Sequence, residues 1–149
     1  MAITFDSAID RLDRDMIYRF LSLESYWARG LPRAVFERAL TGSLCFGAYE
    51  GDRQVAFARV ITDRATFGYL ADVFVLPEWR GQGIAHAMMR FILDAPDLQN
   101  LRRFMLATAD AHGLYADFGF SALSAPERLM ERLDQGVYQR LAAQPARTD

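Results

Sequence analysis

Apolar residues follow a helical spacing in the first third of the chain. Between residues 12 and 23 they recur every three to four positions, as on the buried face of an amphipathic helix. Residues 25–30 interrupt this pattern, and Pro32 suits the first turn of a second helix that stops near Gly42. Together with a short strand at residues 3–5, the pattern predicts one strand followed by two helices.

The middle of the chain changes to apolar runs that are rich in β-forming residues. Residues 44–49 and 54–61 flank a Gly-Asp turn and predict a hairpin. Residues 66–76 predict a third strand, which ends at Pro77 because proline cannot donate to a sheet. The spacing then returns to that of a helix over residues 84–93.

The last third of the chain is predicted to alternate between strand and helix. Residues 104–107 predict a short strand, and residues 111–118 predict a short helix that ends at Gly119. Residues 120–141 are expected to add one or two closing strands. Residues 142–149 are small and polar, so we expect a frayed tail there.

No linker, repeat or low-complexity segment divides residues 1–141, which therefore predict a single domain. Helices come first, three consecutive strands follow, and a strand–helix–strand–helix order closes the chain. This order indicates an α+β (mixed α/β) fold whose sheet is at least partly antiparallel.

Composition narrows the classes of function. The formal net charge is −2 on 149 residues, which gives no electrostatic reason to expect a polyanionic partner such as a nucleic acid, because binding one normally needs a basic face. Cys45 is the only cysteine and there are two histidines, so we expect neither a disulfide nor a metal site. The sequence shows no signal-peptide pattern and no apolar run of about 18 residues. We therefore expect a cytoplasmic protein with no membrane partner.

A glycine loop between a strand and a helix carries the strongest chemical signal. N–H groups in the first turn of a helix lack internal partners, and the helix dipole is positive there. Glycines leave room for an anion to reach these donors, which predicts a pyrophosphate site; a tight packing turn is the alternative. The loop lacks the Lys-Ser/Thr pair of a nucleoside-triphosphate P-loop and the third glycine and acidic residue of a dinucleotide-binding motif. It consists of Arg80, Gly81, Gln82, Gly83, Ile84 and Ala85.

Two motifs in this chain resemble a known family. Arg80, Gly83 and Ala85 match the R/Q-x-x-G-x-G/A motif of the GNAT superfamily of acetyl-CoA-dependent N-acetyltransferases. Downstream, a second block of that family, A-x-x-x-Y-x-x-x-G-F, is matched as well. Its matching residues are Ala111, Tyr115, Gly119 and Phe120. The resemblance covers residues 69–120, and the order of predicted elements agrees with it.

The resemblance implies a fold and a cofactor. It implies a central, mostly antiparallel sheet with splayed fourth and fifth strands, flanked by helices. Acetyl-CoA would place its pyrophosphate on the amides of residues 80–85 and its pantetheine arm along the fourth strand, at Val73, Phe74 and Val75. The family often has Asn where Thr108 stands, so the shorter Thr108 side chain leaves its expected cofactor contact in doubt.

Two residues are candidates for the catalytic chemistry. Tyr115 resembles the family's general acid, and a phenol with a pKa near 10 can protonate a thiolate; the alternative is a half-buried tyrosine with its hydroxyl in water. Asp72 is an acid inside an apolar strand and needs a partner there. It would attract the substrate ammonium and help to deprotonate it, or else form a structural ion pair with Arg59.

Tyr26, Trp27 and Arg59 are candidates for the acceptor side of the site. The two aromatic residues interrupt the first helical segment, in the region that commonly forms a wall of the acceptor site in this family. The alternative for them is packing in the core. The resemblance thus implies direct transfer of an acetyl group from acetyl-CoA to a small-molecule or amino-acid-like amine in a ternary complex. The rivals are a non-catalytic coenzyme A-binding sensor or interaction module, and a protein whose loop serves packing only. A homodimer rests on the family analogy alone.

Overall fold

A five-stranded sheet forms the centre of the molecule. The computed structural model describes residues 2–144. The strands lie in sequence order, and the first three pairs are antiparallel whereas the last pair is parallel. This arrangement confirms the α+β fold with a mostly antiparallel sheet. The strands are β1 (Ile3–Asp6), β2 (Ser43–Glu50), β3 (Arg53–Thr62), β4 (Phe67–Val75) and β5 (Arg103–Leu106).

Five α-helices flank this sheet, and none of those within residues 2–144 is long and apolar enough to cross a membrane. Four short 3₁₀ turns, at Ile9–Arg11, Pro77–Trp79, Pro96–Leu98 and Pro126–Arg128, join the other elements. The helices are α1 (Arg14–Arg19), α2 (Arg33–Thr41), α3 (Ile84–Leu93), α4 (His112–Ala116) and α5 (Val137–Ala143).

The first predicted helix changes its winding halfway. After α1 the chain forms a π-helical segment, Phe20–Glu24, which ends when the N–H of Ser25 donates to Phe20 O at 2.9 Å. The hydroxyl of Ser25 donates to Leu21 O at 2.6 Å, and such back-bonding by serine competes with regular helical bonds. The helix therefore ends here and releases Tyr26 and Trp27 from helical register.

Two apolar clusters lie on the two sides of the sheet. One contains Met88, Met89 and Ile92 of α3, which are completely buried, together with residues of β2, β3 and β4. The other contains α1, the π-helical segment and α2, and it includes Phe74 of β4. Phe74 stacks on Phe20 with ring centroids 3.9 Å apart. The alternation of side chains along β4 thus anchors this strand to both clusters.

Strand β5 pairs with only the first part of β4. The pairing runs from Phe67–Arg103 to Leu70–Leu106 and stops there, although β4 continues to Val75. No strand among residues 2–144 lies on this edge of β4 beyond Leu70. The splayed fourth and fifth strands implied by the resemblance are therefore present.

Asp72 forms the irregular point of β4. Its φ of 56° is in the left-handed region, and the pairing of β3 with β4 shifts register between Phe57 and Arg59. This is a β-bulge, which interrupts the alternation of side chains and can redirect one of them. Aspartate tolerates a left-handed backbone better than its apolar neighbours would.

The prediction of closing strands in residues 120–141 is wrong. This segment contains the turn Pro126–Arg128 and helix α5, and no strand of the described sheet comes from it. Its large apolar residues lie at Leu129, Met130 and Leu133, without strict alternation, and Met130 is 97% exposed. A strand needs a ladder partner and a buried face, and this segment has neither in the described chain. Of the predicted tail, residues 142–144 continue or follow α5, and residues 145–149 lie outside the described residues.

Candidate functional site

The glycine loop leaves the N-terminal end of α3 open. Gly81 and Gly83 have φ angles of 78° and 79°, and a side-chain carbon built on either would meet no atom within 4 Å. Gly83 is the N-cap of α3, and no side chain bonds to the helix end there. The glycines therefore allow the left-handed turns and keep the helix end accessible.

A run of backbone N–H groups points into this opening. The first helical bond of α3 is that from Ala87 N to Gly83 O at 3.1 Å. Among the described residues, none of the N–H groups from Gly81 to His86 has a backbone or side-chain acceptor. The N–H of Arg80 differs, because it donates to Pro77 O at 3.3 Å. The unpaired donors thus begin at Gly81, and together with the helix dipole they suit an anion.

Arg80 holds the loop against the end of β4. Its Nε donates to Val75 O at 2.9 Å, so the guanidinium satisfies the last carbonyl of the strand. This contact fixes the position of the loop relative to the unpaired edge of β4. The arginine of the motif therefore has a structural role in addition to any contact with a ligand.

A cavity of about 550 Å³ lies where β4 and β5 separate. Its walls come from the segment around Trp27, from α2, from the bulge of β4 and from the residues that follow β5. It brings together side chains that are far apart in sequence. Those predicted from the sequence are Tyr26, Trp27, Arg59, Asp72, Val73, Thr108 and Tyr115. Its volume lies in the range of small-molecule sites.

Asp72 lies at the centre of a hydrogen-bonded group in this cavity. Arg59 Nε donates to its Oδ2 at 2.6 Å, and Trp27 Nε1 donates to its Oδ1 at 2.7 Å. The side chains of Arg59 and Asp72 are 17% and 11% exposed. The ion pair weighed as the structural alternative for Asp72 is present, and each carboxylate oxygen keeps a free lone pair for a further donor.

Arg59 makes a second contact that fixes its orientation. Its Nη1 donates to the hydroxyl of Ser43 at 3.0 Å. The guanidinium is thus held by one charged and one neutral partner from two strands. Arg59 therefore serves Asp72 in this structure, since its bonds are directed at protein groups.

Tyr26 and Trp27 connect the two separating strands. Trp27 bonds to Asp72 on β4, whereas the Tyr26 hydroxyl accepts the N–H of Ala109, beyond β5, at 3.1 Å. The two rings meet edge to face with centroids 5.0 Å apart. Tyr26 is 59% and Trp27 is 41% exposed, so the core-packing alternative for these residues is wrong. They line the open side of the cavity instead.

Tyr115 lines the same cavity from α4 and is buried. Its exposure is 8%, so the side chain is more buried than in the alternative of a half-buried tyrosine with its hydroxyl in water. Burial raises the pKa of Tyr115 to about 12, and the neighbouring Tyr26 and Asp110 act in the same direction. The phenol therefore keeps its proton throughout the neutral pH range.

Thr108 has a local structural role. Its hydroxyl oxygen accepts the N–H of Ala111 at 3.0 Å, and the N–H of Asp110 approaches it at 3.4 Å. These bonds stabilise the turn that leads into α4, in the manner of a helix-capping residue. The hydroxyl proton is still free to donate to a ligand.

Among residues 2–144, the cavity walls contain neither a cluster of metal-binding side chains nor a cysteine. Residues 2–144 contain no group of three or more metal-binding side chains. Cys45 is buried away from the cavity walls, and burial raises the pKa of its thiol to about 11. A thiol with this pKa supplies little thiolate at neutral pH.

Several cavity residues were missed by the sequence analysis. Tyr138 comes from α5, in the segment that was predicted to form strands, Val35 comes from the first turn of α2, and Leu31 precedes that helix. In the sequence they resemble ordinary helix residues. They are distinguished only by lining the same cavity as the bulge of β4, and no pattern in the neighbouring sequence predicts that position.

The comparisons with known proteins agree with this geometry. Residues 41–122, more than half of the chain, match the family model described as the acetyltransferase (GNAT) domain. The chain therefore belongs to the GNAT acetyltransferase family.

Two relatives carry the same assignment. A Xanthomonas campestris pv. campestris protein whose crystal structure is assigned to the GNAT family is 51% identical, with a TM-score of 0.90, over 93% of this chain and 97% of that one. A Gibberella zeae protein named as an acetyltransferase is 37% identical over 60% of this chain. The matched region spans 62% of the length of that curated relative.

A more distant structure shares the fold. A Clostridium acetobutylicum protein, described as an acetyltransferase and crystallised with acetyl-CoA, is 17% identical with a TM-score of 0.58. The alignment covers 89% of this chain and 96% of that one. At this identity the likeness concerns the fold alone.

Proposed function

We propose that this chain transfers an acetyl group from acetyl-CoA to a primary amine. The observation that carries the proposal is the unpaired edge of β4, which has open N–H donors at one end and the cavity of Asp72 and Tyr115 beside it. Membership of the GNAT family supports this assignment.

The cofactor would occupy the open helix end and the edge of β4. The N–H groups from Gly81 to His86 would hold the pyrophosphate, since an anion there meets unpaired donors and the positive end of the helix dipole. The pantetheine arm would extend along Val73, Phe74 and Val75, on the edge of β4 that faces away from β3 and has no strand partner among residues 2–144. This places the thioester near the cavity between the strands.

The amine would attack the thioester directly. Its nitrogen forms a bond to the carbonyl carbon, the carbon–sulfur bond breaks, and the electron pair goes to sulfur. A backbone N–H on the open edge of β4, near Phe74, would stabilise the charge that develops on the carbonyl oxygen. Direct attack is supported by the absence of an activated nucleophile from the cavity walls in residues 2–144.

Tyr115 would give its proton to the departing sulfur. With its pKa raised to about 12 it is protonated at neutral pH, as a tyrosine with the ordinary pKa would also be, and it can donate a hydrogen bond while the thiolate forms. Asp72 would hold the amine through a free lone pair and take up, directly or through water, the proton that the nitrogen loses as it bonds to the carbonyl carbon. Solvent would then remove this proton and return one to Tyr115. The bonds of Asp72 to Arg59 and Trp27 would keep the carboxylate in position.

A thiol-release assay tests this function. Purified protein is incubated with acetyl-CoA and a panel of primary amines, and free coenzyme A and acetylated amine are measured together. We expect both products in equal amounts, at rates well above that without amine. Tight binding of acetyl-CoA without amine-dependent thiol would support the coenzyme A-binding module instead. Failure of acetyl-CoA to bind at millimolar concentration would contradict both functions.

A further inference from the structure

The cavity wall opposite the separating strands is apolar. It is formed by one face of α2 and the residues before it, and its apolar members are Ala28, Leu31, Val35, Phe36, Ala39 and Leu40. Leu31, Phe36 and Leu40 also belong to the buried cluster on this side of the sheet, so their positions are fixed. A ligand on this wall would replace water against a rigid apolar surface.

Among the described residues, the cavity walls contain no positive charge that is left to neutralise an acidic ligand. The charged residues in its walls are Arg59, Asp72 and Asp110. Arg59 is bonded to Asp72 and Ser43, and the sequence contains no lysine. Arg59 and Asp72 neutralise each other, so Asp110 leaves a net negative charge. A carboxylate or phosphate brought into this cavity would lose water and meet no net positive charge among the described residues.

The cavity is also poorly suited to a polycation. A polyamine or an aminoglycoside needs several carboxylates, whereas Asp72 is already paired and Asp110 is the remaining acid. Aromatic rings occupy much of the rest of the wall, with Tyr26 and Trp27 at the open side and Tyr138 from α5. Such rings suit a flat apolar body or a single ammonium group.

We infer that the acceptor is a primary amine on an uncharged apolar or aromatic body, of the arylalkylamine or alkylamine class. The inference rests on the proposed acetyl transfer and adds the substrate class. The ammonium group would approach the carboxylates of Asp72 and Asp110, and the body would lie against Val35 and the aromatic rings. α-Amino acids, amino-sugar phosphates and polyamines are disfavoured acceptors.

A matched pair of acceptors tests the role of charge. 2-Phenylethylamine and phenylalanine share the aromatic ring and the amine, and they differ by one carboxylate. We expect kcat/KM to be ~100-fold higher for 2-phenylethylamine, because the carboxylate would be unpaired beside Asp110. Spermidine should also be a poor acceptor. A preference for phenylalanine or spermidine would overturn the inference.

A second experiment tests the apolar wall itself. Val35→Thr keeps the volume and places a hydroxyl on the wall, so kcat/KM for 2-phenylethylamine should fall ~10-fold while that for methylamine changes little. The control is Ile61→Thr, the same kind of change at a residue that is 43% exposed and outside the cavity. Equal effects of Val35→Thr on both amines would contradict a body-binding wall.

Acetyl-CoA binding separates this inference from the proposed function. The Kd for acetyl-CoA is measured by calorimetry for each protein before turnover is assayed. If acetyl-CoA binds and the amines that carry further charged groups, such as phenylalanine and spermidine, are acetylated best, the inferred substrate class is wrong. The proposed acetyl transfer then stands. If acetyl-CoA binds and none of the amines releases thiol, acetyl transfer is wrong, and the substrate class with it.

Discussion

The two halves of the site are built from different materials. At the glycine loop the functional groups are backbone N–H groups from Gly81 to His86, consecutive in sequence and unpaired among the described residues. In the cavity they are side chains: Trp27 and Arg59, which are far apart in sequence, both donate to the carboxylate of Asp72. The glycine loop is formed by consecutive residues whose N–H groups have no acceptor in the described chain. The cavity is formed by residues distant in sequence, and the carboxylate of Asp72 already has two hydrogen-bond donors in the protein.

Because of this difference, we expect substitutions in the two halves to affect different properties of the protein. The loop depends on glycine conformation and space, so a side chain there should affect cofactor affinity. The cavity depends on a network in which each partner holds another, so a substitution there should affect turnover or stability. Substitutions in the two halves should therefore have separable effects.

The largest effect is expected at Tyr115. Tyr115→Phe removes the proton donor and keeps the ring, so kcat should fall by ~100-fold or more, as for loss of a general acid. The Kd for acetyl-CoA should change less than about twofold, because in the proposed binding mode the cofactor's pyrophosphate would lie at the other half of the site. Stopped assays of thiol release and calorimetry measure the two quantities. Full turnover in a folded Tyr115→Phe protein would remove Tyr115 from the mechanism.

The glycine loop offers a matched pair of substitutions. Gly83 has a φ of 79° and Gly51, in the turn between β2 and β3, has a φ of 57°; at either position a side-chain carbon would meet no atom within 4 Å. Valine at either position should cost about 1–3 kcal/mol of stability through backbone strain. Only Gly83→Val should also raise the Kd for acetyl-CoA, by ~10–100-fold, because its side chain would crowd the open donors. Equal Kd values in the two variants would separate the loop from cofactor binding.

The cavity network should respond in stability. Arg59→Met leaves the Asp72 carboxylate with only Trp27 as a partner, and we expect a loss of about 2 kcal/mol in the free energy of unfolding. Adding Asp72→Asn removes the unpaired charge and should restore part of that loss. Urea unfolding of the wild type, the two single variants and the double variant measures this coupling. Simple additivity of the two substitutions would show that the pair does not act as a unit.

The raised pKa of Tyr115 predicts a loss of stability in alkali. The pKa is about 12 in the folded protein and near 10 in the unfolded chain, so below pH 10 the group is protonated in both states. Between pH 10 and 12 the unfolded chain loses this proton first, which favours unfolding by about 1–2 kcal/mol. Tyr115→Phe should lack this contribution, and unfolding midpoints at pH 9 and pH 11.5 test the difference. A parallel decline in both proteins would contradict it.

The smallest effect is expected at Thr108. Thr108→Ala removes the acceptor for the N–H of Ala111 and should cost about 1 kcal/mol, as at other capping positions. Thr108→Ser keeps the hydroxyl and should restore most of this stability. If the local role is the main one, neither variant should change the Kd for acetyl-CoA more than about twofold. A tenfold weaker Kd for Thr108→Ala alone would instead assign a cofactor contact to the hydroxyl.

The elements with strong local patterns were predicted with nearly correct bounds. The helix predicted at residues 84–93 is α3, and the hairpin of β2 and β3 differs from its predicted strands by one residue at each end. Their periodicity and turn residues agree with their tertiary surroundings. The segment of residues 120–141 was predicted wrongly, because its apolar residues have no strand beside them in the described chain and remain exposed.

The sequence by itself determined the glycine loop, because its donors are backbone groups whose direction depends on Gly81, Gly83 and the start of α3. It also identified Asp72 as an acid in an apolar strand and Tyr115 as a candidate acid. Only the tertiary structure decided that Trp27 and Arg59 share the carboxylate of Asp72, and that Tyr138 and Val35 line the same cavity. These residues are far apart along the chain, and their meeting depends on how the helices and the bulge of β4 pack together.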